Sequence, residues 1–378
     1  MAEVLNDSIV DNDLLEKLTI IIPSFERSSF LKRTLKYWSN FKVKIIAVDG
    51  SNNSLDKTFL SNLPKNIKYI NNKSGFYTRL LLATNLVETE YVMLGWDDEF
   101  YIPSALKSCL VNLSRNSDLI SCTGRAIAFN YDNQIVRGYD IYPELKDLNL
   151  DDANPSVRIK KHFLNFIPAH LFAISKSFIW KIIAKGVFSK EYKFYASFEL
   201  QFEFLLPFAN KSLSIPELMW LRSMEAEKVR GTSTKKFLST THSIWWHNEE
   251  NNKDKQDFIE RMKKICLEIN AIKKTNHIPD IETNFDFYSK RKKKKGSLFF
   301  RLYLMLLKYL PGTIKHFVKR ILQNFGYGSS ILKKQVFNKI FSLKGSAELL
   351  ELDGVKVDFN ELEKIEKIVS NFHANNKK

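Results

Sequence analysis

Three acidic side chains follow one another at the end of an apolar stretch. In YVMLGWDDEF, residues 91–95 are uncharged, and Asp97, Asp98 and Glu99 come directly after Trp96. Carboxylates this close raise one another's pKa unless a positive group lies beside them. Mg²⁺ or Mn²⁺ is such a group, because both cations prefer carboxylate oxygens. The alternative is a strand-end turn whose acids are stabilised by a helix N-terminus.

Two earlier apolar runs also end in polar residues. LTIII (18–22) is followed by Pro23, Ser24, Glu26 and Arg27, and VKIIAV (43–48) is followed by Asp49, Gly50 and Ser51. IKYI (67–70) is a further short apolar run, and helical patterns at 28–39, 76–88 and 103–115 separate the four runs. Apolar strands alternating with helices predict an α/β fold with a largely parallel sheet. Ligands bind such sheets at the carboxyl ends of the strands, where these polar residues lie.

The alternation ends near residue 118. DLISCTGRAIAFNYDNQIVRGYD is typical of a β-hairpin that turns at Tyr-Asp-Asn-Gln. A helix-rich part follows through 192–209, and the chain ends in a more acidic helical stretch after a basic one.

Composition favours a globular protein, with 44% hydrophobic and 13% aromatic residues among 378. The cysteines, Cys109, Cys122 and Cys266, are too few and too far apart for a disulfide framework, which favours a reducing compartment. The acidic N-terminus lacks the apolar region of a secretory signal, and we predict no transmembrane helix.

The ordered motifs IIPSFERSSFLKRTL, VDGSNNS and YVMLGWDDEF resemble the family 2 type of glycosyltransferase with the GT-A fold, over roughly residues 17–225. The resemblance implies a Rossmann-like, mostly parallel sheet with flanking helices and a nucleotide-sugar donor. It also implies Mg²⁺ or Mn²⁺, which neutralises the diphosphate of the donor as it leaves.

The resemblance implies roles for individual donor-site residues. Asp98, with Glu99 as a second candidate, takes the metal, and Asp97 faces the ribose or sugar. Asp49 accepts hydrogen bonds from the base or ribose, with an Asx turn onto Gly50 and Ser51 as the alternative. The remaining donor-binding residues implied in this way are Pro23, Ser24, Glu26, Ser51, Gly75 and Arg79.

Two of these residues have alternatives. Arg79 suits a bidentate contact with phosphate, but an ordinary exposed arginine on a helix has the same sequence pattern. Gly75 either lets the backbone approach the donor or simply makes a turn.

The resemblance places the catalytic base in SFELQFEFLLPFANKSLSIPELMWLR (197–222), at Glu199, and Glu203 lies one helical turn further on. Phenylalanines surround both acids, so we expect a raised carboxylate pKa. An amphipathic core helix with two surface glutamates is the alternative. His170, His242 and His247 are candidates for an extra metal ligand, but we interpret them as half-buried core histidines.

The formal charge of +16 is concentrated near the C-terminus. Residues 290–344 contain 15 Lys or Arg and no Asp or Glu. KRKKKK (290–295) is typical of a solvated linker, and the amphipathic stretch 297–322 suits an anionic membrane surface. Packing of these helices on the rest of the chain is the alternative. We expect no nucleic-acid partner, because no RNA-binding motif accompanies the charge.

These observations predict an N-terminal tail (1–16), a GT-A domain (17–275) with nucleotide-binding (17–115) and acceptor (116–275) halves, and a basic helical C-terminal region (276–378). The predicted activity is transfer of a sugar to a hydroxyl of a glycan or lipid-linked glycan, with inversion, in surface polysaccharide synthesis. We expect this to occur at the cytoplasmic face of a bacterial membrane. An inactive GT-A scaffold is the alternative. A nucleotidyltransferase is a lesser one, because PSFERSS replaces the Gly-rich phosphate loop of that class.

Overall fold

The computed structural model describes residues 14–225, 241–290 and 341–376. The predicted linker after Lys290, the predicted amphipathic helices at 297–322 and most of the basic stretch lie outside the described residues. Within them, no helix combines the length and the hydropathy that crossing a membrane requires.

The described residues form a nine-stranded mixed sheet flanked by helices, which confirms the predicted α/β fold. The strand order is β3-β2-β1-β4-β8-β6-β9-β5, with β7 paired to β6. Six strands (β1–β4, β6 and β9) run in one direction, and β5, β7 and β8 run in the other. The strands are β1 Leu18–Ser24, β2 Lys44–Asp49, β3 Ile67–Asn71, β4 Tyr91–Leu94, β5 Phe100–Tyr101, β6 Leu119–Asp132, β7 Ile135–Asp140, β8 Ile174–Lys176 and β9 Lys211–Ser223.

Twelve α-helices, numbered along the chain, cover the sheet in the described residues. They are α1 Ser28–Trp38, α2 Lys57–Ser61, α3 Phe76–Asn85, α4 Pro103–Arg115, α5 Pro155–Leu164, α6 Ser177–Phe188, α7 Ser197–Ala209, α8 His242–His247, α9 Asn252–Lys273, α10 Ile281–Lys290, α11 Leu343–Leu352 and α12 Phe359–Asn375. The four helices expected at 28–39, 76–88, 103–115 and within 192–209 are confirmed within a few residues.

The sheet brings the predicted ligand-binding strand ends side by side. In the parallel β1–β2 pair, Pro23 lies opposite Val48 and Ser24 lies opposite Asp49. Strand β4 pairs with the other side of β1, so the acidic run begins beside the end of β1. Every residue of β1 and β4 is buried, because helices cover both faces of the sheet.

The expected hairpin is also confirmed. Strands β6 and β7 are joined at Asn133 and Gln134, whose φ angles are 49° and 64°. Positive φ at both central residues is the backbone that matches the twist of a tight hairpin, and asparagine tolerates it better than most residues.

The C-terminal helices pack on the rest of the described chain. Helix α11 lies against β7, where Ser346 Oγ donates to the carbonyl of Gly138 at 2.5 Å. On α10, Phe285 is buried between Phe204 and Phe258. The division of the chain at residue 276 remains a prediction. All three cysteines are free and buried.

Candidate active site

The acidic run is buried, and its positive partner within the described residues is an arginine. Asp97 and Asp98 are 2% and 5% exposed. Arg27 forms ion pairs with both carboxylates, from Nη1 to Asp97 Oδ1 at 3.0 Å and from Nη2 to Asp98 Oδ2 at 2.5 Å. Burial lowers the pKa of Arg27, but the facing carboxylates outweigh this and raise it overall. This ion pair explains how two adjacent acids are tolerated at the end of β4.

Asp97 is further fixed by β1. Ser24 Oγ donates to Asp97 Oδ2 at 2.7 Å, so one carboxylate oxygen has a hydrogen bond and the other has the ion pair with Arg27. Burial raises the pKa of Asp97, and the charge of Arg27 opposes that rise. The sequence analysis noted Arg27 at a strand end but gave it no role.

Glu99 has a different set of partners from Asp97 and Asp98. Its Oε2 accepts hydrogen bonds from Trp220 Nε1 at 2.7 Å and from the Tyr101 hydroxyl at 3.3 Å. Burial raises the pKa of Glu99, and the charge of Asp98 adds to that rise. Oε2 of Glu99, the second candidate for a metal ligand, is therefore bonded to Trp220 of β9 and Tyr101 of β5.

A divalent cation at the acidic run can be assessed from the donor atoms. Asp98 Oδ1 has no hydrogen-bond partner in the part of the chain that the structure describes, whereas Asp98 Oδ2 pairs with Arg27. In that part, Asp98 is not joined by two further His, Cys, Asp or Glu side chains whose ligand atoms all lie within 4.8 Å of one another. Mg²⁺ often takes one or two carboxylates and completes its shell with substrate phosphates. The residues therefore fit a cation held by Asp98 Oδ1 together with a diphosphate, and Mg²⁺ or Mn²⁺ remains a prediction.

Asp49 makes an Asx turn with Gly50 and Ser51, which was the alternative to hydrogen bonds with the base or ribose of a nucleotide. Its Oδ1 accepts from the Ser51 backbone N–H at 2.9 Å and from Ser51 Oγ at 2.5 Å. Its Oδ2 accepts from the Tyr69 hydroxyl at 2.8 Å. Asp49 is fully buried, so a contact with a nucleotide requires one of these bonds to be exchanged.

Glu26 ties the ends of β1 and β2 together. Its backbone N–H donates to Ser51 Oγ at 2.7 Å, and its Oε1 accepts from the Asn52 N–H at 2.9 Å. The φ angle of Glu26 is 53°, a left-handed conformation that is uncommon for glutamate. Such conformations cost on the order of 1 kcal/mol and are often found at binding sites.

Arg79 is buried and is not the exposed helical arginine of the alternative. It is 4% exposed, and Nη1 donates to the carbonyls of Ser24 and, at 3.4 Å, of Val48. Its Nε has no hydrogen-bond partner among the described residues. Burial lowers its pKa, and the charge of Asp49 opposes that effect. A buried guanidinium without a paired carboxylate suits an anionic ligand.

Two glycines near Arg79 differ in what they require. A Cβ on Gly50 would lie 2.2 Å from Arg79 Nη1, so Gly50 makes room for the guanidinium. Gly75 precedes α3 and has nothing within 4 Å of the position of a Cβ. The structure therefore gives no steric reason for glycine at position 75.

Glu199 lies in the first turn of α7 and is partly exposed. Its backbone N–H donates to the Ala196 carbonyl at 3.1 Å, whereas its carboxylate has no hydrogen bond or ion pair with any described residue. Burial, with a smaller effect from the charge of Glu203, raises its pKa to about 8. The direction of this shift is the one expected from the phenylalanines around Glu199.

Glu203 behaves in the opposite way. It is fully buried, and its Oε2 accepts from His162 Nε2 at 2.8 Å and His170 Nδ1 at 2.9 Å, while Oε1 accepts from the Leu171 N–H at 2.9 Å. Burial alone would raise its pKa, but these histidines outweigh burial and bring it to about 2. Neither glutamate of α7 is a fully exposed surface residue.

The histidines are only partly as expected. His170 and His242 are buried core residues, and burial lowers the pKa of His242 to about 3. His247 is exposed and bonds Ser289 at 2.8 Å, so the expectation of a half-buried core residue was wrong there. The sequence analysis did not single out His162, because its helical pattern carries no metal-binding spacing.

Aromatic rings connect the start of α7 with the acidic run. Phe76 packs on Phe198 of α7 at 5.3 Å between ring centroids and stacks on Trp96 at 6.1 Å. Trp96 contacts Phe172, which packs on Trp220, the tryptophan that bonds Glu99. Phe76 of α3 therefore connects the helix that carries Glu199 with Trp96, the residue immediately before Asp97.

A second group of residues, not indicated by the sequence, contacts the backbone of the acidic run. Arg33 donates to the carbonyl of Asp98 at 3.1 Å and to the two carboxylate oxygens of Glu225 at 3.1 and 2.7 Å. His373 of α12 bonds the same carboxylate. Its ring stacks on Tyr131 with centroids 4.4 Å apart. The C-terminal helix thus reaches the support of the site.

No protein-family model matches this sequence, and no curated protein sequence matches it. Among solved structures, it is similar to S. aureus TarS 1-349, at 13% identity, covering 72% of this chain and 89% of that one with a TM-score of 0.36. The same fragment in complex with UDP-GlcNAc aligns at 13% identity over 71% of this chain and 69% of that one, with a TM-score of 0.38. A longer TarS structure aligns at 12% identity and a TM-score of 0.37 over 74% of this chain, which spans 56% of that one. Likeness at this level adds nothing to the assignment of function, which rests on the site residues.

Proposed function

We propose that this protein is a glycosyltransferase that moves a sugar from a nucleotide-sugar donor to a hydroxyl group. The observation that carries the proposal is the meeting of Arg79, Ser24 and the acidic run at the ends of neighbouring parallel strands. A buried cation without a paired carboxylate lies beside buried carboxylates there. That combination suits a ligand with a negatively charged diphosphate and polar sugar hydroxyls.

In the donor site, we assign Arg79 to the diphosphate and Asp97 to the ribose or the transferred sugar. Asp49 and Ser51, at the end of β2, face the base or ribose, and Pro23, Ser24, Glu26 and Gly75 frame the pocket. Asp98 would hold Mg²⁺ or Mn²⁺, which would neutralise charge on the leaving nucleoside diphosphate. Glu99 is a supporting residue in this assignment, because its partners are Trp220 and Tyr101.

We assign the base to Glu199. In its ionised form, the carboxylate would take the proton of the acceptor hydroxyl as the oxygen attacks the anomeric carbon. The bond from that carbon to the donor phosphate would break at the same time, so a direct displacement inverts the configuration. The Glu203 carboxylate is fully buried and is bonded by three groups from other elements, which supports a role in holding the site together.

We further propose that the acceptor is a glycan or lipid-linked glycan of surface polysaccharide synthesis. The support is the basic stretch 290–344, whose cationic side chains are suited to the inner face of an anionic membrane. Vesicle flotation with and without anionic lipid tests this part on the full chain. Equal flotation on neutral and anionic vesicles would contradict it.

A thermal-shift panel tests the donor. UDP-, GDP-, CMP- and dTDP-sugars are compared with and without Mn²⁺, and one of them should raise the Tm in a saturable way. Arg79→Met should abolish that rise, whereas Arg115→Met, at an arginine in the last turn of α4, should leave it unchanged. No shift with any nucleotide sugar would contradict the proposal.

Turnover tests the catalytic assignment. Release of nucleoside diphosphate, with a crude glycolipid as acceptor, should be lost in Glu199→Gln and Asp98→Asn. The matched controls, Glu268→Gln and Asp118→Asn, change exposed acids and should retain it. Full turnover in both site variants would overturn these roles.

An inactive scaffold is the second candidate, and one observation favours it. Arg27 already pairs with Asp97 and Asp98, and Asp49 is satisfied by its own turn. A closed site of this kind would bind no donor. The thermal-shift panel separates the two candidates, because only an enzyme should respond to a nucleotide sugar.

A further inference from the structure

A cluster of two histidines and a glutamate lies on elements that the catalytic assignment does not use. We call His162, His170 and Glu203 the His–Glu cluster. They come from α5, from the short 3₁₀ turn His170–Phe172 and from α7. All three side chains are 3% exposed or less. Three separate elements thus direct potential metal ligands to one buried point.

The ligand atoms converge in a way that suits a single ion. Glu203 Oε2, His162 Nε2 and His170 Nδ1 all lie within 4.8 Å of one another. Both imidazoles approach the same oxygen, at 2.8 and 2.9 Å, and the rings are inclined by 81°. Ligand atoms of a tetrahedral zinc site are about 3.3 Å apart, given bonds of roughly 2.0–2.1 Å. Movements of about half an ångström would therefore admit the ion.

One outer contact of the kind that orients a metal ligand is present. Glu203 Oε1 accepts from the Leu171 N–H at 2.9 Å, which fixes the carboxylate plane with Oε2 directed at the two imidazoles. The ring of Phe166 packs 5.5 Å from that of His162. A carboxylate as deeply buried as that of Glu203 is costly unless it is compensated, and a divalent cation would supply positive charge there.

We propose that the His–Glu cluster binds a divalent transition-metal ion, with zinc as the best fit to its two nitrogens and one oxygen. The site is separate from the cation predicted at Asp98. The ion would join α5 and α7 to the turn that carries Phe172. Phe172 packs on Trp96 and Trp220, beside the acidic run, so the ion would hold one wall of the pocket.

Metal content tests the proposal directly. The full chain is dialysed against ZnCl2, freed of loose metal on a desalting column and analysed by plasma mass spectrometry. We expect about one zinc per chain, since the set matches three-ligand zinc sites. Replacement with CoCl2 should give the visible absorption of a tetrahedral cobalt centre, and stripping with a strong chelator should lower the Tm by several degrees.

Variants locate the ion. Glu203→Gln keeps the shape of the side chain and should lose most of the zinc, as should His162→Ala. The controls are Glu199→Gln, one turn away on α7, and His247→Ala, at an exposed histidine. Both controls should keep the full zinc content.

Two results would overturn the proposal, and the first of them needs no variant. One is wild-type protein with less than about a tenth of an equivalent of zinc and no cobalt absorption. The other is full zinc retention in folded Glu203→Gln protein. Nucleotide-sugar binding is measured on the same samples, so zinc without donor binding would leave this inference standing and remove the proposed function.

Discussion

Replacing Glu199 by glutamine should have opposite effects on stability and on turnover, and both should depend on pH. Burial raises the pKa of Glu199 from 4.5 to about 8, so its ionised form is the unfavourable one in the folded state. The stability that this shift contributes is present below pH 4.5 and is lost as the pH rises through 8. Glutamine carries no charge, so the variant avoids that loss.

The size of the effect follows from the pKa. A rise from 4.5 to about 8 corresponds to about 5 kcal/mol once the side chain is fully ionised, at about 1.4 kcal/mol for each tenfold change. Glu199 is partly exposed, and contact with water relaxes the penalty. We therefore expect the unfolding free energy of Glu199→Gln to exceed that of the wild type by about 2 to 3 kcal/mol at pH 9, and by about zero at pH 4.5.

Urea unfolding at pH values from 5 to 9 measures this difference. The buffers contain EDTA, so that no cation is bound by Glu203 one helical turn away. Asp97 and Glu99, whose pKa values are also raised, affect both proteins alike and cancel in the comparison. The control is Glu268→Gln at an exposed position of α9, which should show the same pH dependence as the wild type.

Turnover completes the test. If Glu199 is the base, wild-type turnover rises with pH through about 8 as the carboxylate ionises, and Glu199→Gln has neither the turnover nor the rise. A stability difference that is the same at pH 5 and pH 9 would refute the assigned burial of Glu199. A turnover profile that Glu199→Gln leaves intact would refute its role as the base.

Three further substitutions have defined outcomes. Gly50→Ala places a Cβ 2.2 Å from Arg79 Nη1, so the guanidinium must move and the Kd of the donor should rise about tenfold, measured by thermal shift against added donor. Gly124→Ala places a Cβ 2.6 Å from the Glu217 carbonyl oxygen, which belongs to backbone that cannot move easily. The unfolding free energy, measured in urea, should fall by about 1 to 3 kcal/mol. An unchanged urea midpoint would contradict the β6–β9 packing. Arg27→Met leaves Asp97 and Asp98 without their cation, so the unfolding free energy should fall by about 2 to 4 kcal/mol. The fall should be larger at pH 8 than at pH 5, because the raised pKa of Asp97 lets this side chain protonate at pH 5. Mn²⁺ should raise the Tm of Arg27→Met more than that of the wild type, and an equal rise would show that Arg27 does not compete with the cation.

The parts of the fold that could be predicted are those that depend on short stretches of sequence. Apolar runs ending in polar residues gave β1, β2 and β4, and the turn at Asn133 and Gln134 gave the hairpin. Parallel pairing then placed Ser24 opposite Asp49, as expected for neighbouring strand ends. These features need only the alternation of strand and helix and the chemistry of turns.

The partners of the site residues could not be predicted, because they come from distant parts of the chain. Ser24 bonds Asp97 from 73 residues away, and Glu203 bonds His162 and His170 from 41 and 33 residues away. No periodicity reports such pairs, since each residue also fits its own helix or strand. The same holds for His373 and Glu225, which are 148 residues apart.

Local reasoning also assigned one environment to both glutamates of α7, and the structure separates them. Glu199 faces no described partner and has a raised pKa, whereas two imidazoles lower the pKa of Glu203. The phenylalanine-rich sequence around them is common to both and cannot distinguish them. What distinguishes them is which neighbouring element lies opposite each side chain.

The charges of the acidic run point to a competition at its centre. Asp97 and Asp98 already share an ion pair with Arg27, and Glu99 is held by neutral donors, so each acid of the run has a partner without a metal ion. A cation that binds Asp98 must therefore contribute more than charge balance within the protein, because it has to approach a carboxylate that Arg27 already contacts. A donor diphosphate supplies the additional binding free energy, since its two negative charges attract both the cation and Arg79. It follows that cation and donor should bind cooperatively, each weakly without the other, and that Arg27 sets how strong that cooperativity is.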